Sequence, residues 1–230
     1  MSFLAAYYVT FMGVLLPALC VRSYFRLKAG ARFPPKRVLH RQTVIMHALM
    51  FLFAWYVWRS FDQPVFPHYT FQWTHAAAGL AILAIFPCVM YPTWKANAAQ
   101  KRERVYRTRP QSPEEMPAWI VISLTAGFAE EIAYRGVLFG ILLYWIENWW
   151  AAALLSAVAF ALGHAIQGWK GILIIFVMSV VFQWLVRFSG TLYVAMMVHA
   201  AYDMIAGYCY MRLYKQTAPQ VSATAATSVV

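Results

Sequence analysis

The segment AWIVISLTAGFAEEIAYRGVLFGILLYWI, residues Ala118–Ile146, decides how the rest of the chain folds. It is longer than the stretch of about 20 apolar residues that spans a bilayer as a helix. Its middle nevertheless carries Glu130, Glu131 and Arg135. A charged side chain at the centre of a membrane helix costs about 2.5–3.5 kcal/mol on insertion scales, so it normally faces a protein interior or a wet cavity. The segment therefore predicts a membrane helix whose charged groups face other helices.

The composition of the whole chain agrees with a membrane protein. Of its 230 residues, 62% are hydrophobic and 12% are charged, whereas a soluble domain carries about 25% charged residues. The apolar residues form continuous runs, which indicates helices rather than the alternating strands of a barrel. The sequence thus predicts an all-α transmembrane bundle.

Seven apolar segments are predicted to span the membrane. They are Phe3–Val21, Thr43–Trp58, Thr74–Trp94, Ala118–Ile146, Trp149–Ile166, Gly171–Val186 and Gly190–Met211. The fourth is preceded by SPEE, Ser112–Glu115, a pattern in which the serine is expected to cap the helix and the glutamate to complete a capping box. We divide the chain into N-terminal spans (1–117), a second helix bundle that begins with the charged segment (118–215) and a mobile tail (216–230).

The basic residues predict the orientation of these spans. The formal net charge is +11, and most of the basic residues fall in two loops, 22–41 and 95–109. Because basic loops stay on the cytoplasmic side, the N-terminus is predicted outside and the C-terminus inside. This topology accounts for the charge without a nucleic-acid partner, and the loops can contact anionic lipid headgroups. Compact size and short loops favour a bacterial cell membrane.

Helix geometry predicts how the charged residues pair. Glu131 and Arg135 are four residues apart and share a helix face, so they are expected to form a structural ion pair. Glu130 points about 100° away and is left without that partner. His164, His199 and Asp203 lie in two other predicted spans at a similar depth. A carboxylate that faces histidines in a dry cavity can take a proton from water as a general base.

The remaining histidines are interpreted as structural or interfacial, and the cysteines as structural. His47 and His75 lie near or in spans but have no ionisable residue beside them in sequence. Cys20, Cys88 and Cys209 lie in separate apolar segments without metal-ligand spacing, which is typical of small core residues.

Three short motifs resemble those of a known family. EEIAYR (Glu130–Arg135) fits EExxxR, FALGH (Phe160–His164) fits FxxxH, and HAAYD (His199–Asp203) fits HxxxN/D. In this order, on three predicted helices, they resemble the CAAX-protease and bacteriocin-processing (CPBP) family, which includes the Ras-converting CAAX endopeptidase. The resemblance covers about the last half of the chain.

The resemblance implies a glutamic-type intramembrane endopeptidase that needs no metal or other cofactor. Glu130 and His164 would activate a water, and His199 and Asp203 would stabilise the oxyanion, with Glu131, Arg135 and Phe160 in support. Many prenyl-processing members have asparagine at the position of Asp203. Because an ionised carboxylate accepts hydrogen bonds but cannot donate them, Asp203 must either be protonated or orient His199 instead, and we expect it to orient His199.

Other functions fit parts of the pattern. A zinc protease could use the two motif histidines and a carboxylate as ligands, although HExxH is absent. A non-proteolytic adaptor could bind a partner's transmembrane segment, and buried acids and histidines also mark proton-coupled transporters. For a protease the substrate is expected to be a peptide or a membrane-anchored protein, prenylated or carrying a sorting tag. The sequence leaves the oligomeric state open.

Overall fold

The structure, a computed structural model, describes residues 3–60, 70–100 and 103–217. Helices alone make up the secondary structure of these residues, which confirms the all-α prediction. They are α1 (Phe3–Lys28), α2 (Lys36–Trp58), α3 (Trp73–Ala99), α4 (Glu103–Thr108), α5 (Pro113–Ile146), α6 (Trp149–Gly163), α7 (Trp169–Ser189) and α8 (Leu192–Thr217).

Four helices among the described residues are long and apolar enough to cross a membrane: α1, α3, α5 and α7. Helix α6 is apolar but shorter. All seven predicted segments fall wholly or largely on helices. The count of seven spans and their orientation stay predictions, and the predicted tail from Ala218 onward lies outside the described residues.

The main apolar core joins helices from both halves of the chain. Tyr8 and Met12 of α1 are fully buried beside Ile132 and Leu138 of α5, and residues of α2, α6 and α8 complete the cluster. Helix α8 packs mainly against α3 and α5. The long, charge-bearing helix α5 therefore lies inside the bundle, with neighbours on several sides.

Glycines let α5 and α8 approach each other closely. A Cβ atom on Gly127 would lie 2.8 Å from the carbonyl oxygen of Met196 and 2.9 Å from the backbone nitrogen of Ala200. A Cβ atom on Gly207 would overlap the indole ring of Trp119. Since the first pair of atoms belongs to the backbone, the two helices could hold this spacing only with glycine at position 127.

Helix α5 changes its winding at the acidic pair. A π-helical segment, Glu131–Leu138, begins directly after Glu130. Such segments are rare and frequently occur at functional sites. Two of its carbonyl groups accept hydrogen bonds from other helices: Tyr8 donates to the Ala133 oxygen at 2.9 Å and Ser156 to the Tyr134 oxygen at 2.9 Å.

Three local predictions were wrong. Ser112 makes no capping hydrogen bond to the backbone, and the carboxylate of Glu115 instead accepts from the Gln111 N–H at 2.8 Å and pairs with Lys36 Nζ at 2.9 Å. Helix α6 ends at Gly163, so His164 lies at the start of a turn and not inside the helix. Of the cysteines, Cys88 is exposed and is not a core residue.

Candidate functional site

Three histidines surround the carboxyl group of Glu130. The Nε2 atom of His47 lies 3.3 Å from Glu130 Oε1. The Nε2 atoms of His164 and His199 lie 3.9 Å and 3.7 Å from Oε2. Only 12% of the Glu130 side chain is exposed. The structure thus brings Glu130, His164 and His199 together, as the sequence predicts, and adds a histidine from α2.

Contacts with the last turn of α6 fix the position of the His164 ring. The Nδ1 atom lies 2.9 Å from the Phe160 carbonyl oxygen, one turn earlier in the chain. Because a carbonyl can only accept, Nδ1 carries the proton and Nε2 faces Glu130. The imidazole also packs on the Phe160 ring, with centroids 4.6 Å apart. The position of Phe160 in its motif therefore has a structural reason: it supports His164 through both its carbonyl and its ring.

Glu131 connects two of the three motifs. Its Oε1 atom accepts from Arg135 Nη1 at 3.1 Å, which confirms the predicted ion pair, and from His199 Nδ1 at 2.7 Å. Arg135 also donates through Nη2 to the Ser179 hydroxyl of α7 at 2.9 Å. Glu131 is completely buried. Glu131 therefore holds the His199 ring so that the Nε2 atom of His199 is directed towards Glu130.

Aromatic rings enclose this network. The Arg135 guanidinium lies 4.1 Å from the centre of the Phe160 ring, and the Phe182 ring stacks on His199 with centroids 5.7 Å apart. A guanidinium over an aromatic face is attracted by the ring quadrupole. The rings also keep water away from the ion pair, which strengthens its electrostatics.

Asp203 does not orient His199. Its Oδ2 atom is 4.0 Å from His199 Nε2, too long for a hydrogen bond, and the imidazole is held at Nδ1 by Glu131 instead. The prediction that Asp203 sets the tautomer was therefore wrong. The helical spacing allowed the contact, but an acid from α5 occupies the other ring nitrogen. Asp203 still lies beside the site, where its backbone carbonyl accepts from the Trp119 indole at 2.8 Å.

This arrangement coincides with a match to a known protein family. The model of the Rce1-like type II CAAX prenyl endopeptidase family matches residues 112–205. This part of the chain is similar to that family. Curated proteins and solved structures contain no significant match to the chain. This similarity, to an endopeptidase family of the wider CPBP group, implies a protease that acts on a peptide or protein substrate.

The family segment contains all four predicted catalytic residues but not His47. This histidine belongs to α2 and was interpreted as structural or interfacial, because no ionisable residue adjoins it in the sequence; the structure places its imidazole against the Glu130 carboxyl group. One signal was available. His47 is an ionisable residue within a predicted span, and such residues usually face a polar partner. His75 satisfies the same description, yet it packs against the Phe188 ring, with centroids 5.3 Å apart.

The described residues contain no set of three or more histidine, cysteine, aspartate and glutamate side chains arranged to hold a metal ion. The three imidazoles contact a carboxyl group that lies between them, rather than converging on a common empty point. What the arrangement offers chemically is one carboxyl group able to exchange a proton and several imidazole nitrogens able to donate or accept one.

Proposed function

We propose that the protein is an intramembrane endopeptidase of the glutamic type, with residues 118–215 as its catalytic bundle. The observation that supports this most is the position of Glu130: a buried carboxyl group between imidazole nitrogens, inside a bundle of apolar helices. Few waters compete for hydrogen bonds in such a site, so a bound water can be activated and developing charge stabilised.

Glu130 and His164 activate the water in this proposal. Their facing atoms, Oε2 and Nε2, are 3.9 Å apart, so one water can hydrogen-bond to both. The water oxygen bonds to the scissile carbonyl carbon while Oε2 takes a proton from the water. The protonated carboxyl then gives this proton to the leaving nitrogen as the C–N bond breaks, which restores Glu130 and yields a new carboxyl end and a new amine.

His199 stabilises the oxyanion in the same step. Glu131 binds its Nδ1–H at 2.7 Å, which leaves Nε2 to donate to the oxyanion when it carries a proton. Asp203 lies 4.0 Å from Nε2, so its carboxylate helps to balance the charge of the protonated ring. Arg135 and Phe160 act on the site indirectly, by holding Glu131 and His164.

The substrate in this proposal is a peptide or a membrane-anchored protein, prenylated or carrying another sorting tag. Such a substrate reaches a site between helices from the bilayer. The basic loops are proposed to lie at the cytoplasmic surface, in contact with anionic lipids. We propose seven spans in a bacterial cell membrane.

Hydrolysis by purified protein tests the proposal. Detergent-solubilised protein is incubated with an internally quenched, farnesylated peptide that ends in a CAAX sequence, and with the same peptide lacking the lipid. We expect wild type to cleave at least one peptide and Glu130→Gln to lose about 1,000-fold or more in kcat, because glutamine cannot take a proton from water. The matched control is Glu114→Gln, on the same helix but exposed to solvent. Cleavage by Glu130→Gln at the wild-type rate would contradict the proposal.

Prolonged chelation separates this mechanism from a zinc protease. We expect activity to persist after incubation with a chelator and dialysis, because a carboxyl group and imidazoles supply the proton transfers without a Lewis acid. Zinc content is measured in the same samples. A one-to-one zinc content that falls and recovers together with activity would favour the zinc enzyme.

A further inference from the structure

The hydrogen bonds around Thr125 determine which nitrogen of His47 carries a proton. The Thr125 hydroxyl lies 2.9 Å from the Val121 carbonyl oxygen and 3.1 Å from that of Ile122. Its single hydrogen is directed to these carbonyls, as is usual for threonine in a helix. The same Oγ1 atom lies 2.9 Å from His47 Nδ1 and must accept there, so Nδ1 carries a proton.

A second proton must then lie between His47 and Glu130. The Nε2 and Oε1 atoms are 3.3 Å apart, and the side chains are only 6% and 12% exposed. A bare Nε2 facing an ionised carboxylate would place two acceptors against each other without water to separate them, which is costly in a buried site. The pair therefore shares a proton through Nε2, either as imidazolium and carboxylate or as imidazole and carboxylic acid.

We propose that His47 is a positioning residue for the general base. This rests on the proposed function and extends the site to α2, outside the family segment. His47 binds Oε1 through its Nε2 proton, so Oε2 alone faces His164 and His199 and alone exchanges protons with water and the leaving nitrogen. With Glu130 ionised, His47 is the imidazolium that neutralises it. His47 keeps its Nε2 proton during turnover, and no atom is transferred to or from it.

Two substitutions at position 47 separate this role from packing. The amide nitrogen of glutamine reaches the position of Nε2 and can still donate to Glu130. The amide nitrogen of asparagine reaches only the position of Nδ1 and can donate only to Thr125. The matched control is His75→Gln, since His75 is also a buried histidine, 7% exposed compared with 5% for His47, but contacts Phe188 instead of the site.

We expect His47→Asn to lower kcat about 100-fold and His47→Gln about 10-fold, with KM within about twofold of wild type, because the lost donor acts on the reacting carboxyl group and not on substrate binding. His75→Gln should retain the wild-type kcat. A purely structural His47 would give Asn activity equal to or above that of Gln, and this result would overturn the proposal.

A spectroscopic measurement tests the contact without any substrate. Protein labelled with 15N-histidine is examined by NMR in detergent, and the His47 signals are assigned from their loss in His47→Gln. We expect a protonated Nδ1 at neutral pH and an Nε2 signal that shifts in Glu130→Gln but not in Glu114→Gln. An Nε2 signal unaffected by Glu130→Gln would overturn the proposal. If wild type cleaves no peptide but the Nε2 signal responds to Glu130, the proposed function fails while the His47–Glu130 contact stands.

Discussion

The two halves of the chain contribute to the site in different ways. Residues 112–205 carry every motif and the family match. Helices α1–α3 carry no recognised motif. Yet Tyr8 of α1 donates to a carbonyl of the π-helical segment, and His47 of α2 contacts the carboxyl group of Glu130. The motif-bearing half therefore supplies most of the ionisable groups of the site, and the other half helps to hold these groups in place.

The difference shows what a motif can and cannot indicate. In the second half, the interacting groups Glu131, Arg135 and His199 are all charged or ionisable and stand out in an apolar sequence. In the first half, a tyrosine hydroxyl acts on a backbone atom, which no sequence pattern records. Four comparisons of variants test this division, from the largest expected effect to the smallest.

Glu131→Gln should have the largest effect on stability. The change leaves Arg135 and His199 without their buried anionic partner, at a cost of about 3–5 kcal/mol. The control, Glu103→Gln, breaks an ion pair of the same i,i+4 spacing between Glu103 and Arg107, whose side chains are 64% and 47% exposed, and should cost less than about 1 kcal/mol. Thermal unfolding in detergent measures both. Equal melting temperatures for the two variants would show that Glu131 does not support the fold.

Gly127→Ala should disturb the close contact between α5, which carries Glu130, and α8, which carries His199. The new methyl group meets backbone atoms of Met196 and Ala200, so the helices must separate, at a cost of about 1–3 kcal/mol. Gly140→Ala, on the same helix, meets no atom within 4 Å and should stabilise the helix by up to about 1 kcal/mol. We expect the melting temperature to fall below that of wild type in Gly127→Ala and to rise above it in Gly140→Ala. A stabilising Gly127→Ala would contradict the close approach of the helices.

Tyr8→Phe tests the support from α1. It removes the donor to the Ala133 carbonyl and should cost about 1–3 kcal/mol, since the buried carbonyl loses that hydrogen bond. Tyr7→Phe is the control, because Tyr7 is 54% exposed; the unfolding temperature should stay near wild type. In Tyr8→Phe, activity should fall in parallel with stability. An equal effect of both substitutions would show that the hydrogen bond from α1 does not support the site.

Asp203→Asn should have the smallest effect. Glu131, and not Asp203, hydrogen-bonds to His199, so kcat should stay within about threefold of wild type. Asp203→Ala should lower it somewhat more, through the lost packing beside His199. A loss of 100-fold in Asp203→Asn, measured with the peptide that wild type cleaves, would show that the carboxylate acts directly in the reaction.

Charge in an apolar sequence was sufficient to predict much of this protein. The grouping of Glu130, His164 and His199 and the Glu131–Arg135 pair follow from the cost of an unpaired charge in a membrane and from helical spacing. The helical class follows from the continuous apolar segments that surround these charges. The partner of His199 did not follow. Asp203 is at the right spacing on the same helix, but the choice between it and Glu131 depends on how closely α5 approaches α8.

What the sequence determined by itself is the set of groups that must be buried together: a few ionisable side chains cannot face lipid, so they have to meet inside the bundle. Only the tertiary structure decided which of them touch. The reason is that spacing along one helix restricts neighbours within about two turns, whereas contacts such as His47–Glu130 and Tyr8–Ala133 join residues far apart in the chain. Such contacts depend on helix packing and on the π-helical winding after Glu130, which are set by the shapes of many apolar side chains at once.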